Sequence, residues 1–514
     1  MRAPTIRPIP INLNEKKIRS RSSPEYKMNR NLVFFLILLS LACISSFGTA
    51  YYLFTRRWEL RAISVPSTIA NSNTQVNASR IPRSTTKSAL GEHISYLSYL
   101  PHSGFHNQRI AFENALLLAY LLHRTLLVPP IRLGNKPIRY IDYDTLSRYH
   151  ELAGRHGLSH CPKIPPYVSR PPECLDYFET SYIPWNWLVD LSGIEAQQPM
   201  IHRPDMTRSW IEANLDIAPS DILVLRDTSP YQFRFLDSVD DFSPPTHKYL
   251  EDIYLSDLAM SKKRLLQIGT LFGSSRLRLK KEENILHRGH IRRSMVFANN
   301  DLVLAASLIA DALNGHYFGV HIRSGDGKFK AEIENTVRTI WWNLLHQTLG
   351  FPAAMVCVIE KLVNEASSRF CRPDMMDSKQ RTRSPKTAVN VSATPSSRFF
   401  INCRSPRHQE HRYQMLNTPL YVSTDIENPR THPQLSIFHQ TFPCIFFLED
   451  FSKEIEHLDQ LKSPIDNVNL GPFLRPFVDA LVVSKALKVV GTEGSTFSRF
   501  IEDILWHNVI VDNS

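Results

Sequence analysis

The stretch Gly104–Pro130, GFHNQRIAFENALLLAYLLHRTLLVPP, decides the fold. It opens with six residues rich in amide, imidazole and guanidinium groups, continues as an almost wholly apolar segment, and ends in TLLVPP. A helix that is apolar all round is a buried helix, here Arg109–His123 leading into a strand at TLLVPP. A buried helix that begins with hydrogen-bonding side chains needs a reason for them. Asn107 as a capping amide is one reason. Another is that Phe105, His106 and Asn107 face a ligand cleft.

The same alternation recurs along the chain. A strand is expected at DILVLRD (Asp221–Asp227) and helical segments around Ser261–Leu277. The helix DLVLAASLIADALNG (Asp301–Gly315) precedes a strand YFGVHIR; strand-like PLYVSTD (Pro419–Asp425) and CIFFLEDF (Cys444–Phe451) follow, then DALVVSKALKVVGTEGSTFSRFIEDIL. Alternating strands and helices predict an α/β fold with parallel sheets. At 514 residues the chain exceeds one ordinary core, so two domains are expected, residues 91–298 and 299–514. Their ligands bind beyond the carboxyl ends of the strands. Within the second, a polar segment at about 367–412 has the composition of a disordered insertion.

The first 90 residues read differently. Lys16, Lys17, Arg19, Arg21, Lys27 and Arg30 crowd a tail, residues 1–31, and Leu32–Phe54 follows without a charged side chain. About 20 apolar residues cross a bilayer, and the basic side stays cytosolic. The expectation is therefore a single transmembrane signal anchor, a polar stem over residues 55–90, and a lumenal remainder in the Golgi or endoplasmic reticulum. Six of the seven cysteines fall on the lumenal side, which permits three disulfides in any of 15 pairings. The sequons Asn77-Ala78-Ser79 and Asn390-Val391-Ser392 match that topology. The net charge of +11 resides largely in the tail and the insertion, and a lumenal domain meets no nucleic acid.

Three motifs carry candidate chemistry. HIRSGD (His321–Asp326) ends a strand, where Arg323 presents a fork of donors suited to phosphate oxygens and Ser324-Gly325 forms a turn with backbone N–H groups. Pairing of Arg323 with Asp326 is the structural alternative. GTEGSTFSRF (Gly491–Phe500) is a second strand–turn–helix junction, where Ser495 and Thr496 act on an anion or as ordinary caps. GFHNQR opens the helix of the other domain. Walker and GxGxxG patterns are absent, which argues against the common ATP and dinucleotide sites. Asp142-Tyr143-Asp144 matches the metal-binding pattern DxD in form, without further support.

The order GFHNQRIAFENALLLAYLLHRTLLVPP, HIRSGD and VDALVVSKALKVVGTEGSTF resembles the GDP-fucose protein O-fucosyltransferases and their relatives, over most of the chain from Gly91 onward. The resemblance implies a GT-B type fold of two facing Rossmann-like domains behind the membrane helix. It implies inverting transfer of fucose from GDP-fucose to a protein or glycan acceptor, without a metal or other cofactor. Carried over by motif, Arg323 and Asn107 are the catalytic residues, Arg323 holding the β-phosphate. His321 flanks the nucleotide; Ser495, Thr496 and Phe497 line the diphosphate and sugar; Asp479 contacts guanine. Gly104, Phe105 and His106 approach the sugar from the first domain, and Asp326 belongs to the site with an undefined role. His106 stands where some relatives have a small residue. The alternatives are a different donor or a non-protein acceptor on the same fold, or a catalytically silent binding protein.

Overall fold

The computed structural model describes residues 94–134, 136–155, 157–165, 167–238, 248–325, 327–363 and 402–508. The expected anchor and stem, Asp326, and residues 364–401 of the expected insertion lie outside them. Among the described residues no helix is long and apolar enough to cross a membrane.

Strands β1 (Tyr96–Tyr99), β2 (Thr125–Val128), β5 (Met200–His202), β6 (Ile222–Leu225) and β9 (Leu265–Ile268) form one sheet in the order β5-β2-β1-β9-β6. Every pair in it is parallel. Helix α1 (Phe105–Leu121) covers it, with Phe112, Leu116 and Leu118 fully enclosed. Strands β3 (Ile131–Gly134) and β4 (Thr180–Ile183) form an antiparallel ribbon beside it. Strands β7 (Phe233–Leu236), β8 (Glu251–Tyr254) and β10 (Leu277–Arg278) make a small parallel sheet. In the second half of the chain, β11 (Phe318–Ile322), β12 (Leu420–Thr424), β13 (Ile445–Phe446) and β14 (Lys488–Gly491) pair in the order β13-β12-β11-β14, again all parallel. Parallel strands buried on both faces read as continuous apolar runs, as YFGVHIR and PLYVSTD do.

The α/β class with parallel sheets is as expected, and two local expectations change. Residues around Ser261–Leu277 are not helical: Leu265–Ile268 is the strand β9, buried throughout between β1 and β6. A four-residue apolar run carries no periodicity, so inter-strand pairing decides its state. The expected insertion also ends sooner, because Cys403 is disulfide-bonded to Cys444 and Arg404 donates to both carboxylate oxygens of Asp450. A second disulfide joins Cys161 and Cys174.

Helices α3 (Asn300–Ala312) and α4 (Gly471–Ser484) complete the second half. A single apolar core includes Leu116 of α1, Ala306 of α3 and Leu474 of α4. Strand β11 lies so close to α4 that a Cβ on Gly319 meets the Val483 carbonyl at 2.8 Å and the Ala486 methyl at 2.9 Å. Overpacking of this kind typically costs ~1–3 kcal/mol. Gly319→Ala is therefore expected to lower the melting temperature by several degrees, and an unchanged value measured by calorimetry contradicts the packing described.

Candidate functional site

In the first sheet the chain runs from β1 to β2 and β5 on one side, while β9 and β6 lie on the other. Open α/β sheets bind ligands beyond the carboxyl end of such a reversal. What leaves β1 there is Leu100–Ser103 and then α1. His102 Nε2 lies 2.6 Å from Thr270 Oγ1, beyond the end of β9. Ser103 adopts φ 68°, and the chain enters α1 through Gly104, an exposed N-cap that offers no side chain.

The polar residues opening α1 divide by task. Gln108 donates to the Ser103 and Arg132 carbonyls at 3.1 and 2.8 Å and accepts from Arg132 N at 2.9 Å, pinning the helix to β3. Arg109 pairs with Glu113 one turn on, and its guanidinium lies 4.5 Å from the Phe500 ring centre. Asn107 is not the cap: its backbone N–H donates to Gly104 O at 3.0 Å, and its side chain bonds nothing among the described residues. Phe105 and His106 instead reach the second half of the chain. Phe105 packs edge-on against Phe477 of α4 at 4.7 Å, and His106 lies over Phe497 at 4.0 Å.

The second sheet has its own reversal. From β11 the chain steps to β12 and β13 on one side, and β14 returns on the other. HIRSGD and GTEGSTF therefore leave adjacent strands at the carboxyl edge. Thr492 accepts the Arg323 N–H at 2.8 Å. Ser498, on α5 (Thr496–Phe500), lies 2.7 Å from His321 Nδ1 and accepts Thr492 N–H at 3.0 Å. Phe497 packs against His321 at 4.8 Å. Thus the Phe497 ring touches both imidazoles, one from each half of the chain.

Arg323 does pair with a carboxylate, that of Asp425, at 2.9 Å. Ile322 and Thr424 are register partners, so the next residues of β11 and β12 meet. Asp425 also accepts from Ser324 N at 2.6 Å, Ser324 Oγ at 2.7 Å and Gly325 N at 2.9 Å. The backbone N–H groups expected to be open to an anion are therefore occupied by this carboxylate, which sets the turn. A Cβ at Gly325 meets Asp425 Oδ2 at 2.6 Å, so the turn requires glycine. At Gly494, φ +76°, a Cβ comes within 3.1 Å of Lys328 Nζ, placing a second cation beside this edge.

Burial holds both imidazoles neutral. His321 is lowered to about 4, with nearby Arg323 adding to the effect and Asp425 opposing it. His106 is lowered further, first by burial and then by Arg109, His321 and Arg323.

His106, His321, Arg323, Ser495 and Phe497 come together. Ser495 is committed as the N-cap of α5, accepting from Ser498 N at 3.3 Å, and Thr496 is exposed beside it. Asp479 is not in this group: it accepts from Tyr421 Oη at 2.6 Å, under β12 and short of its carboxyl end. The DxD pair serves structural roles, Asp142 capping α2 (Tyr143–Leu152) through Thr145 and Asp144 pairing with Arg226 at 2.9 Å. His160 Nε2 lies 3.4 Å from Cys174 Sγ and 3.8 Å from Cys161 Sγ, whose sulfurs are bonded to each other. Asp425, Thr492, Ser498 and Lys328 were not anticipated. Thr492 and Ser498 stand inside GTEGSTFSRF, where only Ser495 and Thr496 drew a role, and Asp425 is the last residue of a strand-like run; Lys328 left no signal.

No protein-family model matches the chain. A 46-residue segment is 54% identical to O-fucosyltransferase 30 of Arabidopsis thaliana, which is 9% of this chain and 9% of that relative. The resemblance read from the motifs holds over that segment. Crystal structures of POFUT1 with GDP-fucose and with GDP align over 80% of this chain and 93% and 94% of theirs, at 12% identity and a TM-score of 0.34. The parallel strand order of the two sheets gives the α/β fold.

The Asp479 carboxyl, ordinarily near 3.8, is pushed up to about 7 by burial. The folded state then keeps a proton that the unfolded chain releases between about pH 4 and 7. This contribution to stability is present at low pH and lost as pH rises through 7. Asp479→Asn is expected to gain melting temperature relative to wild type as pH rises from 4 to 8. A pH-independent difference contradicts the assignment.

Proposed function

We propose that the chain is a glycosyltransferase of the GT-B type, transferring fucose from GDP-fucose to a protein or glycan acceptor with inversion. It is anchored as a type II membrane protein through Leu32–Phe54, with the catalytic part in the Golgi or endoplasmic reticulum lumen. One observation carries the reading. The strand-reversal points of two parallel sheets meet through His106 and Phe497, with Arg323 on the second strand edge. The local similarity to O-fucosyltransferase 30 and the order of the three motifs support it.

In this mechanism the diphosphate of the donor lies at the carboxyl ends of β11 and β14. Asp425 holds the Arg323 guanidinium in place, and Lys328 adds positive charge. The acceptor hydroxyl attacks the anomeric carbon on the face opposite the diphosphate. The sugar–oxygen bond breaks with its electron pair going to the phosphate oxygen, and the hydroxyl proton passes to solvent. Negative charge grows on the phosphate as the bond breaks, and a fixed cation there stabilises the transition state more than the ground state. His106 and His321, neutral in the folded chain, bound the sugar as hydrogen-bonding groups rather than charges.

Titration of the protein with GDP, UDP and GDP-fucose tests the donor. GDP and GDP-fucose are expected to bind with UDP much weaker; UDP preference contradicts the donor, and no nucleotide binding contradicts the transferase. Loss of a comparable donor group costs ~10²–10³ in kcat, and Arg323→Ala is expected to show that loss with a smaller change in GDP affinity. Arg323→Lys recovers little, because an ammonium gives no bidentate contact. Full turnover by a folded Arg323→Ala protein contradicts the mechanism.

A further inference from the structure

Behind the start of α1 lies a partly open cavity of about 250 Å³. Its wall is built by β3's lead-in Pro130, His150 near the end of α2 and Arg155 just after it, Tyr182 of β4 and Met206. Ile465 from the second half of the chain forms part of its rim. Next to Ile465, Asp466 clamps the rim by accepting from Ser181 Oγ at 3.0 Å and pairing with Arg155 at 3.4 Å. Ligand sites favour such junctions, and drug-sized molecules fill about 300–1,000 Å³. A cavity slightly smaller than that suits a single ring.

The chemistry of the wall selects the ring. His150 is 7% exposed and lies 2.7 Å from the Pro101 carbonyl through Nε2. Nε2 therefore carries the proton, and Nδ1 is a bare acceptor with no partner among the described residues. Burial lowers His150 to about 4, so it stays neutral. Asp205, also in the wall, adds a carboxylate. Asp205 Oδ1 already accepts from Thr207 N at 2.8 Å and Thr207 Oγ1 at 2.6 Å, and the wall's cation, Arg155, is held by Asp466 and the Thr180 carbonyl, so His150 Nδ1 is the acceptor to which an occupant donates. Tyr182, Met206, Pro130 and Ile465 supply apolar faces. Hydroxyl donors on a compact ring with C–H faces describe a neutral saccharide, whereas an anion meets a carboxylate and a lone pair.

The cavity also has a defined place relative to the reacting edge. A narrower adjoining space shares His150, Tyr182 and Met206 and is bounded by Ser103 and Gln108. Ser103 is three residues before His106, so their Cα atoms are at most ~11 Å apart. That is within the reach of a short glycan.

We propose that this cavity is a saccharide subsite, seating one neutral sugar ring of a glycan acceptor whose neighbouring sugar unit is the one that receives fucose. The assignment of the ring as acceptor rests on the transferase reading; the binding of the ring does not.

Saturation-transfer NMR on the full-length chain with a panel of neutral methyl pyranosides, alongside methyl glucuronide and glucose 6-phosphate, tests the proposal. Transfer to at least one neutral pyranoside is expected, with weaker transfer to both anions. Met206→Trp and Ala153→Phe, which fill the cavity from two sides, are each expected to weaken it at least about tenfold while melting temperature and GDP affinity stay near wild type. Two substitutions guard against one that fails to fold. The proposal is overturned by an absence of transfer to every pyranoside at tens of millimolar, by stronger transfer to the anions, or by signals that persist in both folded variants. If GDP fails to bind while the sugar result holds, the donor reading fails and the saccharide site stands. If GDP binds and the sugar result fails, the subsite alone is lost.

Discussion

The contact on which the site depends is the seating of α1's first turn against the second half of the chain. Phe105 meets Phe477 and His106 meets Phe497, at ring separations of 4.7 and 4.0 Å. Aromatic pairs of this geometry contribute about 0.5–1.5 kcal/mol each beyond the area they bury. Their larger consequence is positional: they bring the reversal point of one parallel sheet to that of the other. Gln108 makes the arrangement possible by anchoring the helix to Ser103 and Arg132 of its own half, while Phe105 and His106 reach across and Arg109 lies over Phe500.

The second sheet solves a different problem, that of keeping a cation in place at a strand end. Arg323 could swing freely on its stem, and Asp425 restrains it while also collecting Ser324 and Gly325. Four donors, from Arg323, Ser324 and Gly325, fill the lone pairs of the two Asp425 oxygens. The same network ties β11, β12 and β14 together at the edge where Thr492 accepts the Arg323 amide. Preorganisation here means that a charge arriving at the edge meets a guanidinium already oriented.

Much of this was legible in the sequence, because buried parallel strands and all-apolar helices leave unmistakable runs. YFGVHIR, PLYVSTD and the α1 segment were read correctly in type. What failed were the short elements: YLSY at β1 and LLQI at β9 are four residues each, and only their neighbours in the sheet make them strands. The site followed the same rule. His321, Arg323 and Phe497 stood in local motifs, but Asp425 is joined to Arg323 through strand register across about a hundred residues, and no local pattern encodes that. Asn107 looked like a cap because amides commonly are; the backbone of Gly104 took the role instead. His150 gave no signal, being an ordinary residue in an amphipathic helix until its ring nitrogen is found against a cavity.

Hydrogen–deuterium exchange with and without GDP-fucose tests most directly whether the two reversal points make one site. Protection is expected in both Gly104–Gln108 and the two strand-end segments, His321–Gly325 and Gly491–Phe500. Protection confined to the second half of the chain, with Gly104–Gln108 unchanged, would contradict the account.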